Sequence, residues 1–266
     1  MQKHKPLKRF GQNYLRDQNI LKKITAQINP VPDDFILEIG PGNGELTEFI
    51  YDNSKDFYAV EIDTRVIENL QKRFSGLKII QADILKLDLR TLERPRGKKI
   101  RIIGNIPYNL TSPIIFKLID NIELISDAVL MVQYEVAKRM IANKGSKDYG
   151  ILAVLLQYFS TPELCFKVSP NVFYPRPKVN SAVVQIRFKE KDFTNQYKQT
   201  FINVVKASFG NRRKTIKNSL GNSIFKELNF TATGIDLTRR AEQLDIKEFE
   251  YLADYVLSKS DQSEST

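Results

Sequence analysis

Asn105-Ile106-Pro107-Tyr108 sets a side-chain amide, a rigid turn and an aromatic ring in consecutive positions. Such a set suits an amine carried on a flat base. An exocyclic adenine amine is a weak nucleophile, because its lone pair is delocalised into the ring. If the Asn105 side-chain oxygen and the backbone carbonyl of Ile106 or Pro107 accept its two hydrogens, the nitrogen is biased toward the tetrahedral shape that exposes that pair. Tyr108 would stack on the base and hold its edge toward an electrophile, a contact that contributes about 1–3 kcal/mol. Pro107 fixes φ and removes an N–H, leaving acceptors to dominate the loop. No histidine base is required, and the sole histidine is His4, among the lysines of the N-terminus.

The loop ends the fourth of a series of strand candidates, and the earlier ones also end in chemistry. After residues 35–39 comes Gly40-Pro41-Gly42-Asn43-Gly44. Glycines there permit positive φ and close backbone approach to a ligand, and the helix that follows offers free N–H groups. Glu61, roughly 20 positions past the glycines at the end of the second strand, is placed to accept from ribose hydroxyls. Asp83, after the third strand, is placed to accept from an adenine amino group. Glycine turn, Glu61 and Asp83 suit adenosine in either a dinucleotide or S-adenosylmethionine. The 105–108 loop favours the second: attack on a sulfonium disperses positive charge, no new anion needs stabilising, and the amine proton can leave after methyl transfer.

Positioning these residues requires an alternation of β-rich and amphipathic runs from about residue 31 to 188, as in a mainly parallel sheet flanked by helices. Strands are predicted at 35–39, 57–62, 78–81, 100–103 and 128–133, and helices at 44–52, 65–74 and 112–122. Two later strand-like runs, 163–168 and 181–188, flank a proline-rich segment and suit an antiparallel pair at a sheet edge. Past about residue 190 the periodicity turns helical, at 197–209, 212–220 and 246–257, with a polar tail at 258–266 expected to fray. The division predicted is 1–190 and 191–266.

The 266 residues carry a formal charge of +10, which favours a polyanionic partner and leaves RNA, DNA and anionic membrane open. No apolar run nears the roughly 20 residues that span a bilayer, and the basic start lacks a signal-peptide core, so a soluble cytoplasmic protein is expected. The lone Cys165 permits no intrachain disulfide and reads as a small apolar residue, and His/Cys metal sites lack ligands.

Longer stretches of the chain resemble the ribosomal RNA adenine dimethyltransferases, most closely the bacterial small-subunit type. The resemblance runs through Lys8-Arg9-Phe10-Gly11-Gln12-Asn13-Tyr14-Leu15, then 38–47, Asn105-Ile106-Pro107-Tyr108, 173–184 and Arg240-Ala241-Glu242-Gln243-Leu244. It implies an α/β fold, a Rossmann-like methyltransferase sheet with a small all-helical C-terminal domain. It implies S-adenosylmethionine contacts at Asn13, Leu15, Gly40, Glu61, Asp83 and Asn105, with Gly42 in the same turn. Phe173 would stack on a flipped target base opposite Tyr108. The implied substrate is a small ribosomal subunit precursor, in which two adjacent adenosines near the RNA 3′ end each receive two methyls. Ile106, where relatives commonly carry leucine, and Asn43 depart from the family pattern at positions that contribute mainly backbone.

Basic clusters at 3–9, 94–101, 176–178 and 212–217 are candidate phosphate contacts, with Phe209-Gly210-Asn211-Arg212-Arg213-Lys214 the most promising. Three other readings compete: a macrolide-resistance methylase of large-subunit RNA, a non-catalytic assembly factor and a nicotinamide dehydrogenase. Nothing in the sequence demands a dimer, so a monomer is expected, without metal or membrane.

Overall fold

The structure, a computed structural model, describes residues 12–211 and 213–263. His4, the basic run 3–9, the first four residues of the 8–15 motif and Arg212 lie outside the described residues. The chain divides into two compact units, one holding residues through Ala137 with Thr161–Lys189, the other Lys138–Ser160 with the chain from Glu190 onward. One boundary between the units falls at Lys189/Glu190. Residues 138–160, which the sequence reading grouped with the sheet, belong instead to the second unit.

The strands are β1 (Tyr14–Leu15), β2 (Phe35–Ile39), β3 (Asp56–Glu61), β4 (Lys78–Gln81), β5 (Ile100–Asn105), β6 (Ile125–Gln133), β7 (Ser160–Val168), β8 (Phe173–Tyr174) and β9 (Ser181–Phe188). Seven form one sheet in the order β4-β3-β2-β5-β6-β9-β7. The strands from β2 to β6 pair in parallel, and β9 runs antiparallel to β6. All five residues of β2 are buried, as befits a central parallel strand covered on both faces. β7 and β9, the two strands expected at a sheet edge, are neighbours there, with β9 inserted between β7 and β6.

In the first unit the helices are α1 (Gln18–Ile28), α2 (Thr47–Ile50), α3 (Thr64–Arg73) and α4 (Thr111–Asp120), followed by α5 (Tyr134–Met140), which runs across the unit boundary. Asp17 caps α1, accepting from the N–H groups of Asn19 and Ile20, and the helix buries Leu21, Ile24 and Ile28 on one face. Asn29, left-handed at φ 45°, ends it. Arg101 on β5 ties this unit together at the opposite end of the sheet, donating to both oxygens of Asp127 on β6 at 2.8 Å and to Asp34 at 2.7 Å.

The second unit contains α6 (Ile151–Phe159), α7 (Asn195–Ser208), α8 (Ile216–Gly221) and α9 (Ile246–Ser263). Helix α6 is apolar nearly all round, so it buries Leu152 to Leu156 among neighbours. Aromatic rings make its core: Tyr158 stacks on Phe201 at 3.9 Å between centroids, and Phe209 stacks on Phe249 at 5.8 Å. Helix α9 continues to Ser263, past the expected end at 257, so residues 258–263 of the polar tail are helical. The Ser258 and Ser260 hydroxyls bond back to the carbonyls of Tyr255 and Val256, within the helix.

Candidate active site

A cavity of about 280 Å³ opens at the carboxyl ends of β2, β3, β4 and β5, the side on which open α/β sheets bind ligands where strand order reverses. Each strand delivers its residue through the turn that follows. β2 gives way to the glycine turn, in which Gly40 and Gly42 adopt φ of +67° and +57°. At Gly42 a side chain would also meet the Tyr14 ring, because a Cβ there would lie 2.7 Å from Tyr14 Cε1. The turn and the N-terminal strand β1 therefore fit together only with glycine.

Glu61, at the end of β3, is buried and accepts three backbone N–H groups: Ile62 and Asp63 on Oε1, both at 2.8 Å, and Gly42 on Oε2 at 3.2 Å. This bond locks the glycine turn to β3. A carboxylate has about four lone-pair sites, so Oε2 keeps capacity for a ligand hydroxyl. Burial pushes the Glu61 carboxyl up against the opposing effect of these N–H donors. Asp83, past β4, uses Oδ1 to accept from Leu85 N at 2.9 Å and also lines the cavity.

The residues before α1 cross this rim. Gln12 Nε2 donates to Asp63 at 3.0 Å, Asn105 Nδ2 donates to the Asn13 backbone carbonyl at 2.8 Å, and β1 pairs antiparallel with β8. Asn105 is thereby oriented: with its nitrogen held by Asn13, its carbonyl oxygen is the free acceptor end of the amide. Pro107 follows in the cavity wall, and Tyr108 opens the turn before α4. The Tyr108 hydroxyl bonds to Ser181 Oγ at 2.7 Å, and burial pushes its phenol above the usual range, so it stays neutral. Ile106 is buried, contributing backbone as its position suggested.

Of the residues singled out in the sequence, Asn13, Leu15, Gly40, Gly42, Glu61, Asp83, Asn105, Pro107 and Tyr108 line one cavity. Phe173 does not. It is 5% exposed and packs in the apolar cluster that includes Leu15, Met131 and Val183. Phe173 lies opposite Leu15 across the β1–β8 ribbon and Tyr174 opposite Tyr14, so the two rings face opposite ways, and burial among Leu15, Met131 and Val183 keeps the Phe173 ring off the cavity wall. Tyr174 is the exposed ring, 48% accessible, with the Arg16 guanidinium 4.1 Å from its centroid.

Sequence reading missed four features here. Glu38 lines the cavity fully buried, accepts from Thr47 Oγ1 at 2.7 Å, and is pushed up by burial to about 8. Gln12, Tyr14 and Ser181 lay inside quoted motifs, yet no spacing rule marks a residue that contacts another across 73 positions. Among the described residues no basic side chain lines the cavity, whereas Glu45, Glu61 and Asp83 do. Nor is there, among them, a group of three His, Cys, Asp or Glu side chains able to hold a metal, or a helix long and apolar enough to cross a membrane.

Sheet order and an acidic cavity at the strand ends are those of a Rossmann-like methyltransferase. The profile of the family described as ribosomal RNA adenine dimethylase matches residues 3–257, and the chain belongs to that family. A ribosomal RNA small subunit methyltransferase A from Chlorobium phaeobacteroides (strain BS1) is 45% identical over 242 residues, 91% of this chain and 90% of that protein. Among solved structures, a dimethyladenosine transferase from Plasmodium falciparum superposes with a TM-score of 0.75 at 27% identity, covering 91% of this chain and 96% of that one. The 23S rRNA methyltransferase ErmE shares the fold at a TM-score of 0.65 and 24% identity, over 91% and 98%.

Proposed function

We propose that this protein transfers methyl groups from S-adenosylmethionine to the N6 amines of two adjacent adenosines near the 3′ end of small-subunit (16S) ribosomal RNA, forming N6,N6-dimethyladenosine within a pre-30S particle. It acts as a monomer in the cytoplasm, during ribosome biogenesis. The observation that carries the chemistry is the Asn105 tether, which leaves the amide oxygen as the acceptor end of a side chain that lines the cavity with Ile106 and Pro107.

The residues present fit the cofactor. Oε2 of Glu61 retains a site for a ribose hydroxyl, Asp83 borders the wall that an adenine would reach, and Gly40 and Gly42 allow close backbone approach. An acidic wall with no basic side chain among the described residues suits a sulfonium and opposes the pyrophosphate of a dinucleotide, which weighs against the dehydrogenase reading. S-adenosylmethionine, when bound, supplies an electrophilic methyl on sulfur. Asn13 orients Asn105, Asn105 Oδ1 and a loop carbonyl accept the amine hydrogens, and neutral Tyr108 stacks on the base. Leu15 closes the wall from β1. Phe173 supports Leu15, its cross-strand partner; stacking on the base requires its ring to leave the apolar cluster.

The small-subunit relative, at 45% identity over nine-tenths of both chains, favours the small subunit over the large one. Methyl transfer from labelled cofactor to purified small and large subunits, side by side, tests the choice. Label is expected in small-subunit RNA, and label confined to the large subunit would overturn it.

A further inference from the structure

Resting on this functional reading, we propose that Ser181 is a positioning residue for methyl transfer, its hydroxyl fixing the ring of Tyr108 in the plane on which the target base stacks. Ser181 opens β9, where it pairs with Gln133 at the end of β6. It is fully buried in a strand otherwise rich in valine, alanine and isoleucine, so a hydroxyl there needs a partner. Tyr108 supplies one at 2.7 Å.

The geometry gives the contact leverage. A tyrosine ring turns about a broad, roughly two-fold χ2 well and is poorly fixed by rotamer preference alone. Tyr108 lies on the turn after β5, half-buried, with its backbone held by the Leu110 N–H to Pro107 carbonyl bond and the start of α4. A hydrogen bond at the far tip of the ring fixes the remaining freedom and ties the catalytic loop to the β6–β9 pair. Asn105, at the loop's other end, is held by Asn13. The two reacting surfaces, amide and ring, are thus each held from outside the loop, and a base seated on the ring meets Asn105 at a set angle. Effective positioning of this kind acts on kcat more than on cofactor binding.

The test is a double-mutant cycle with Ser181→Ala, Tyr108→Phe and the pair, measured with small subunits as substrate. Each single variant is expected to lose about five- to tenfold in kcat, with KM for S-adenosylmethionine unchanged, and the pair to lose no more than either alone. Multiplicative losses, or an unchanged kcat in Tyr108→Phe, would overturn the proposal. Tyr108→Phe keeps the ring and the fold, so the cycle stays informative if Ser181→Ala is unstable. A readout independent of turnover is the spectrum of protein labelled with 13C-tyrosine. Tyr108 ring resonances are expected to shift and average in Ser181→Ala; identical resonances would also overturn the proposal. Wild-type protein that transfers no methyl would indict the functional reading instead, and the ring spectra would still decide the contact.

Discussion

Asn105 shows how one hydrogen bond decides which end of an amide a ligand meets. With Nδ2 engaged by the Asn13 carbonyl, the oxygen is left for a hydrogen-bond donor, as an amine nucleophile requires. Asn105→Ala is therefore expected to lower kcat by about 100-fold or more while RNA affinity stays within about twofold, checked by single-turnover methylation and filter binding. Gly42→Ala joins a left-handed φ to a clash with Tyr14, and is expected to lower stability by roughly 1–3 kcal/mol and to weaken S-adenosylmethionine binding in calorimetric titration. Glu38 brings a pH dependence. Its folded value of about 8 stands above its ordinary 4.5, so the folded state holds the proton more tightly. The stability it contributes is complete below about pH 4.5 and is lost as pH rises through 8. In Glu38→Gln, melting temperature against pH should be flatter over that window; an unaltered slope would contradict the assignment. The amide, the turn glycines and both strand-end carboxylates were legible because strand, turn and acidic residue recur at set spacings. Glu38 and Ser181 were not, since their partners are fixed by tertiary packing.

At the scale of elements, β2, β3 and β5 were legible because buried parallel strands read as β-branched and apolar runs, and the short edge strand β4 by its Ile79-Ile80 pair. β1 and β8 were not: two residues show no period, and they exist by pairing with each other. Helix α1 carried the pattern Leu21, Ile24, Ile28 behind a capping Asp17 and was legible in principle, by start signal and spacing. Helix α6 was opaque, because an apolar run of nine residues gives no face. The buried ring of Phe173 belongs at this scale too. Phe173→Ala is expected to cost about 3–5 kcal/mol in chemical denaturation, as removal of a core aromatic does. A ring serving the base alone would leave stability unchanged. Arg101, bound to Asp127 and Asp34 across β5, β6 and the loop before β2, makes a similar prediction: Arg101→Ala should destabilise the protein by roughly 3 kcal/mol by leaving two part-buried carboxylates unpaired.

The whole molecule combines a basic chain with an acidic cavity wall. A net charge of +10 attracts a polyanion, while Glu45, Glu61 and Asp83 provide a local surface matched to a cationic cofactor. Composition made the first legible, and the second emerged only when the sheet brought separate strand ends together. RNA affinity should fall steeply with salt, each neutralised phosphate contributing a log–log slope of about 0.7–0.9. Replacing the exposed Arg213 and Lys214 with alanine should reduce that slope by between about 1 and 2 and leave cofactor affinity unchanged. The central claim, that this site dimethylates adenine N6 in small-subunit RNA, is tested most directly by mass mapping of that RNA after incubation with protein and S-adenosylmethionine. Two adjacent adenosines near the 3′ end are expected, each heavier by two methyl groups, and none with Asn105→Ala; methyls on another base or another atom, or on large-subunit RNA alone, would overturn this reading of the site.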